Sequence, residues 1–252
     1  MKILKSWLND WIDIETISTD DISEALESLG FEIESRTDKT PNYKNITVGK
    51  VLEIYEHPNA DKVRVTKVDV GSKTYEIVCG AWNFDVGAVV PVALPKSEIK
   101  DGFKIDKRDI RGVESNGMIC SASELDLWDD HAGILKLSDE TKLGSDFSKI
   151  YNSTDTLWEI GVTPNRGDCM SHLGIARELS NYFNLTLKEN SQTLKSNIEN
   201  LIKVNSGKIK ACNSYQSIEI ENFNLSDSNL NIRYRLSSIG VRVINNLSLI
   251  HI

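Results

Sequence analysis

Apolar positions along the chain change their period several times, and each change marks a predicted element. From Ser18 to Leu29 they recur at helical spacing, with Ile22, Ala25, Leu26 and Leu29 on one face. Ser18 and Asp21 fit the capping-box spacing that starts a helix, and Gly30 supplies the stop. Ahead of it, Trp7, Leu8, Trp11 and Ile12 form a separate apolar stripe, read as a core contact; behind it, Phe31-Glu32-Ile33 restarts as a strand. Polar residues from Asp38 to Lys44, with Pro41 among them, mark a crossing point between domains. The period then falls to two. Ile46 to Ile54 and Lys62 to Val70 read as strands. In the latter Val63 and Val65 hold one parity and Val68 and Val70 the other, which predicts a bulge or strong bend. Gly71-Ser72 turns the chain into Thr74 to Cys79, Val86 to Leu94 is a strand kinked at Pro91, and Phe103 to Ile105 and Met118 to Cys120 alternate. Five or so short strands within about 110 residues predict a closed or nearly closed barrel. Beyond it, Thr156 to Val162 is strand-like, Thr163 to Asp168 is a turn cluster, and Ser171 to Phe183 is a helix with Leu173, Ala176, Leu179 and Phe183 on one face. Residues 186–206 are polar and irregular, Tyr215 to Glu221 alternates as a strand, and Leu230 to Ile239 is a further helix.

Composition narrows the class. The chain has 252 residues, 40% hydrophobic and 26% charged, which fits two compact domains or one carrying an insertion. No run of about 18 apolar residues exists, so no membrane span is expected. The opening Met1-Lys2-Ile3-Leu4-Lys5-Ser6-Trp7 has no continuous apolar stretch of a secretory leader. Cys79, Cys120, Cys169 and Cys212 form no CxxC and read as reduced thiols of a cytoplasmic protein. The net charge of −8 argues against a nucleic-acid binder until its distribution is considered. Residues 1–40 carry 4 basic and 10 acidic side chains, and residues 41–150 carry 15 and 18. Phosphate contacts are local, so basic groups lining one face of the middle segment suffice.

Two motifs carry the chemistry. His57-Pro58-Asn59-Ala60-Asp61-Lys62-Val63-Arg64 is a turn followed by a strand whose Lys62 and Arg64 share a face, with Lys67 beyond the bend; a merely solvated strand face would read the same way. Ile110-Arg111-Gly112-Val113-Glu114-Ser115-Asn116-Gly117-Met118-Ile119-Cys120-Ser121 has two glycines that permit positive φ, small hydroxyls at Ser115 and Ser121, and an adaptable apolar surface at Met118. Between the motifs, Lys96, Lys100, Lys104, Lys107, Arg108 and Arg111 outnumber the acidic Glu98, Asp101, Asp106 and Asp109. Cys169 and His172 stand three apart, but without a second pair they read as structural rather than metal-ligating. His57 has no nucleophile or acid nearby in sequence and reads as structural or RNA-contacting. No P-loop, GxGxxG or GxSxG is present.

The pair His57-Pro-Asn-Ala-Asp-Lys62 and Ser115-Asn-Gly-Met-Ile-Cys-Ser121 resembles the tRNA-binding OB-fold shared by several aminoacyl-tRNA synthetases. The flank Trp158-Glu-Ile-Gly-Val-Thr-Pro-Asn-Arg-Gly-Asp-Cys-Met-Ser-His-Leu-Gly-Ile-Ala-Arg-Glu-Leu179, the Gly30-Phe31-Glu32-Ile33-Glu34 turn and Arg235-Leu-Ser-Ser-Ile-Gly-Val-Arg-Val-Ile-Asn-Asn246 are similar to the bacterial phenylalanyl-tRNA synthetase β-subunit family. The resemblance implies an α+β fold in which a small amino-terminal domain (residues 1–40 and 151–190) is interrupted by an inserted OB-fold β-barrel (41–150). A linker (191–207) and the truncated start of an editing domain (208–252) follow. Residues 247–252 depart from the family pattern. It implies tRNA and a catalytic α subunit as partners in an α2β2 assembly, with ATP and magnesium serving the complete enzyme and no cofactor or catalytic residue in this chain. The RNA-contacting set it nominates is His57, Asn59, Lys62, Arg64 and Lys67 from the first motif and Arg111, Ser115, Met118 and Ser121 from the second. A stand-alone tRNA-binding module or RNA chaperone is the alternative, and the flanking segments weigh against it.

Overall fold

Ser18 caps the first long helix, its hydroxyl accepting the Asp21 N–H at 3.0 Å. That helix ends in a Schellman motif, with Phe31 N–H on the Leu26 carbonyl, Gly30 N–H on the Glu27 carbonyl, and Gly30 at φ +87°. The computed structural model describes residues 1–40, 42–130, 133–151, 154–188 and 222–247. In chain order the elements are β1 (Lys2–Leu4), α1 (Lys5–Leu8), α2 (Thr19–Ser28), β2 (Glu32–Lys39), β3 (Lys44–His57), β4 (Ala60–Asp69), β5 (Thr74–Cys79), β6 (Val89–Ile99), β7 (Phe103–Lys104), β8 (Arg108–Ile110), β9 (Val113–Ser115), β10 (Met118–Ile119), α3 (Phe147–Ile150), β11 (Asp155–Gly161), α4 (His172–Tyr182) and α5 (Leu230–Ser238). The linker expected at 191–207 and the strand expected at Tyr215–Glu221 lie outside the described residues.

Residues 2–39 and 155–161 contribute to one sheet, in the order β1-β11-β2 and antiparallel throughout. Neither end of the chain could bury its apolar face alone. Together Leu8, Ile12, Ile22, Leu26, Trp158 and Ile175 form one fully buried core. Burying each such side chain contributes roughly 1.5–3 kcal/mol. Trp158 also donates its indole N–H to Ser23 Oγ at 2.9 Å, which satisfies the polar atom that this ring brings into the core.

The middle of the chain forms a six-stranded antiparallel sheet in the order β10-β6-β3-β4-β5, with β7 alongside β6. The predicted parity switch along β4 is real, but the bulge that accommodates it lies on the neighbouring strand. The β3 register jumps between Val51 and Glu53, leaving Leu52 as the extra, exposed residue opposite the Lys67–Val68 step. Pro91 sits inside β6 without losing a bond to β3. It lies opposite Val48, whose own N–H and C=O turn away to Ser145 and Gly144, and the Pro91 carbonyl accepts from Cys120 N–H at 3.0 Å. The strand pairing does not close into a barrel. Among the described residues no ladder joins the edges β5 and β10; β5 instead meets the end of β9 and the residue after it through isolated bonds, Asn116 N–H to the Glu76 carbonyl at 2.8 Å and Val78 N–H to Ser115 Oγ at 3.0 Å. A two-residue β10 is too short to extend a ladder to the six-residue β5. Beneath the sheet, Val51, Val68, Ile77, Val90 and Val92 form one core cluster, and Tyr43, Ile46, Phe147 and Tyr151 belong to a second.

Helix α5 touches both units. Its Tyr234 stacks edge-on against Tyr151, ring centroids 5.6 Å apart, and its Arg235 pairs with Asp10.

Candidate nucleic-acid interface

The two sequence motifs, some fifty residues apart, are fastened to each other. β8 and β9 pair through Ile110 and Val113, leaving Arg111-Gly112 as a two-residue hairpin loop with φ +52° and +91°. Positive φ at both positions is the type I′ turn that the right-handed strand twist demands, and Gly112 supplies the second position at no steric cost. Arg111 at the first costs about 1 kcal/mol. The first motif grips this loop: His57 Nε2 contacts the Ile110 carbonyl at 2.8 Å and Asn59 Nδ2 donates to the Arg111 carbonyl at 2.9 Å. His57 Nδ1 accepts the Asn59 N–H at 3.1 Å, so the ring carries a hydrogen on Nε2 and donates it to Ile110. His57 is therefore a buried clip that positions the exposed Asn59 and Arg111 side by side.

Along β4 the basic residues divide. Lys62 is exposed. Lys67 is held by Glu53 at 2.7 Å, and that contact raises its ammonium above the usual range. Arg64 is half-buried, and its guanidinium donates to the Ala81 and Phe84 carbonyls at 2.9 and 3.1 Å. It lies close to two rings, 4.7 Å from the centroid of Trp82 and 4.6 Å from that of Phe84. Residues 81–84 are thus wrapped around a cation. Trp82 remains 62% exposed, a large aromatic side chain held at the surface. Sequence reading missed it; the available signal was a tryptophan in a Gly-Ala-Trp-Asn turn outside any apolar period.

The second motif is mostly structural in placement. Ser115, nominated as an RNA contact, is 3% exposed, and its hydroxyl is engaged twice, accepting from Val78 N–H and donating to the Gly117 carbonyl at 3.0 Å each. Ser121 and Glu124 cap each other's backbone: Ser121 N–H donates to Glu124 Oε2 at 2.6 Å and Glu124 N–H to Ser121 Oγ at 3.2 Å. Gly117 must be glycine, because at φ +139° a Cβ would sit 2.5 Å from the Ala93 carbonyl oxygen. Met118, Ser121 and Glu124 line a cleft of about 800 Å³ together with Cys79 to Asn83. Cys79 lies at its wall, its thiol pushed up chiefly by burial. Of the basic residues between the motifs, Lys100 pairs with Asp126 at 3.0 Å and Lys107 with Glu114 at 3.4 Å.

No shared metal site joins Cys169 and His172. His172 Nε2 accepts the Leu4 N–H at 3.2 Å and its ring stacks on Trp7 at 4.2 Å. Burial, then the nearby Arg235, pushes its pKa down to about 4. Asp168, Cys169 and Glu178 do converge within 4.8 Å, but Arg166 occupies the position between the carboxylates, at 3.0 Å from Asp168 and 2.9 Å from Glu178. Its bonds hold the Asp168 carboxyl down at about 2.

Residues 46–146 match a family model described as "Putative tRNA binding domain". This span contains both motifs and the clip between them. The chain is 34% identical to the phenylalanine–tRNA ligase beta subunit of Fusobacterium nucleatum over 98% of its length, and 45% identical to that of Burkholderia lata over 71%. By sequence, the chain belongs to the phenylalanine–tRNA ligase beta-subunit family. It spans 31% and 23% of the lengths of those two relatives. Among solved structures, a MetRS related protein from Pyrococcus horikoshii is 20% identical, with a TM-score of 0.30, covering 40% of this chain and 85% of its own. At that TM-score the likeness decides nothing about the fold. In this chain the matched span covers most of the six-stranded unit, whose strands lie in sequence between β2 and β11 of the three-stranded sheet. Among the described residues, no helix is long and apolar enough to cross a membrane.

Proposed function

We propose that this chain is the tRNA-binding part of a phenylalanine–tRNA ligase beta subunit and that the Asn59–Arg111 rim and Lys62 form its RNA contact. The observation that carries the reading is the clip: two remote motifs spend a buried histidine and an asparagine amide to place exposed polar and basic groups next to one another. Structural economy alone would not require a strained arginine at that turn. In this reading the six-stranded unit is an OB-fold inserted at residues 41–150. Residues 1–40 and 151–190 make one α+β domain, 191–207 a linker and 208–252 the start of an editing domain. The complete enzyme attaches phenylalanine to its tRNA with ATP and magnesium. It does so with a separate α subunit in an α2β2 assembly in the cytoplasm, and this chain supplies no aminoacylation site.

The test is titration of tRNA into the purified chain at several salt concentrations. Affinity should fall steeply with salt, and Lys62→Glu or Arg111→Glu should weaken binding and shallow the slope by about one counterion each. No measurable binding at low salt by the unaltered chain removes the reading.

A further inference from the structure

Trp82 is the most exposed of the large aromatic side chains on the six-stranded unit, yet it does not hang loose. Its ring lies 4.7 Å from the Arg64 guanidinium carbon, which is itself fixed by two backbone carbonyls and backed by Phe84. A cation–π contact of this kind engages one face of the indole, while 62% of the side chain stays exposed. Lys62, two residues before Arg64, shares its strand face and is exposed. The ring borders the cleft lined by Met118, Ser121 and Glu124.

We propose that Trp82 is a stacking platform for an unpaired nucleobase, with Lys62 taking the adjoining phosphate. The inference rests on the tRNA-binding reading and deepens it. A preheld indole pays little conformational entropy on binding, and its face accepts any base, because every base has a π-face. A phosphate beside Lys62 adds a salt-dependent contact that the ring does not. Arg64, in this arrangement, positions the ring and does not itself touch RNA.

The experiment compares the unaltered chain, Trp82→Ala and Trp82→Phe for binding to short oligocytidylate, oligoadenylate and a matched abasic strand. Trp82→Ala should weaken both base-bearing strands about tenfold with an unchanged salt slope, and Trp82→Phe should restore most of the loss. The abasic strand, which keeps its phosphates and lacks rings, should bind the unaltered chain and Trp82→Ala equally. Tryptophan emission should be quenched by oligoadenylate in the unaltered chain and much less so in Trp82→Phe. Equal affinity of Trp82→Ala and the unaltered chain for base-bearing RNA overturns the platform while leaving the tRNA-binding reading intact. So does a loss of equal size on the abasic strand. Absence of binding by the unaltered chain overturns both.

Discussion

His172 shows what a side chain does once its neighbours in space replace its neighbours in sequence. Its spacing from Cys169 read as structural without saying what it holds; in the fold it caps the backbone of Leu4 and packs on Trp7. Its environment favours the neutral ring, so the folded pKa of about 4 lies below the ordinary 6.5. The folded state therefore binds fewer protons than the unfolded chain between those values. This group costs no stability above about pH 7, and its penalty grows as pH falls from 6.5 to 4 and then levels off, reaching on the order of 3 kcal/mol. Denaturant unfolding across pH 4–8 should show this step in the unaltered chain, and His172→Gln, whose amide oxygen can still accept from Leu4, should lack it. Identical pH profiles would show that the ring does not titrate in this way. Arg64 carries the same lesson. Its parity with Lys62 was legible, but its use as a pin for residues 81–84 depends on a loop that returns over it from the next strand.

Helix α4 illustrates what a local pattern contains and what it omits. Ser171 and the apolar spacing announce the helix and its start. They do not announce that its first turn lies hard against the Gly167–Cys169 turn. A Cβ on Gly174 would fall 2.0 Å from the Asp168 carbonyl oxygen and 2.9 Å from the Cys169 Cα. Both are backbone-anchored, so Gly174→Ala must shift the helix, at a cost of about 2–4 kcal/mol in unfolding free energy. Gly167→Ala, where nothing lies within 4 Å of the added methyl, is the control and should change stability by under ~0.5 kcal/mol. Thermal melts of the two variants check the pair, and a near-neutral Gly174→Ala would mean that the helix is free to slide. The β4 parity switch was visible in the valines, yet the extra residue that relieves it belongs to β3, because a bulge is a property of two strands and either can supply it.

The connection between the two sheets has a simple geometry. β2 and β11 are antiparallel neighbours whose register ends with Lys39 opposite Asp155, so the whole six-stranded unit leaves and re-enters at adjacent points. Replacing residues 41–153 with an Asn-Gly turn in a chain ending at Lys188 should yield a β2–β11 hairpin continuous with the Leu8–Trp158–Ile175 core. The shortened chain should melt cooperatively, with blue-shifted emission from the buried Trp158. Red-shifted emission without a melting transition would mean that the three-stranded unit depends on contacts with the rest of the chain, α5 foremost.

Helix caps, strand alternation, the turn glycines and the two motifs follow from local chemistry and were readable residue by residue, because each depends on neighbours within a few positions. The paired motifs also pointed to a tRNA-binding domain, a resemblance that the family model matching residues 46–146 supports. Which groups stay available for a ligand is a different matter, since it depends on contacts between distant segments. Ser115 is consumed between β5 and Gly117, His57 by a loop fifty-three residues away, and Arg64 by residues 81–84, while Trp82, unremarkable in the sequence, is left at the surface with its ring fixed. Burial and hydrogen-bond satisfaction are settled only when those segments meet, and that meeting divides the motif residues into scaffold and rim.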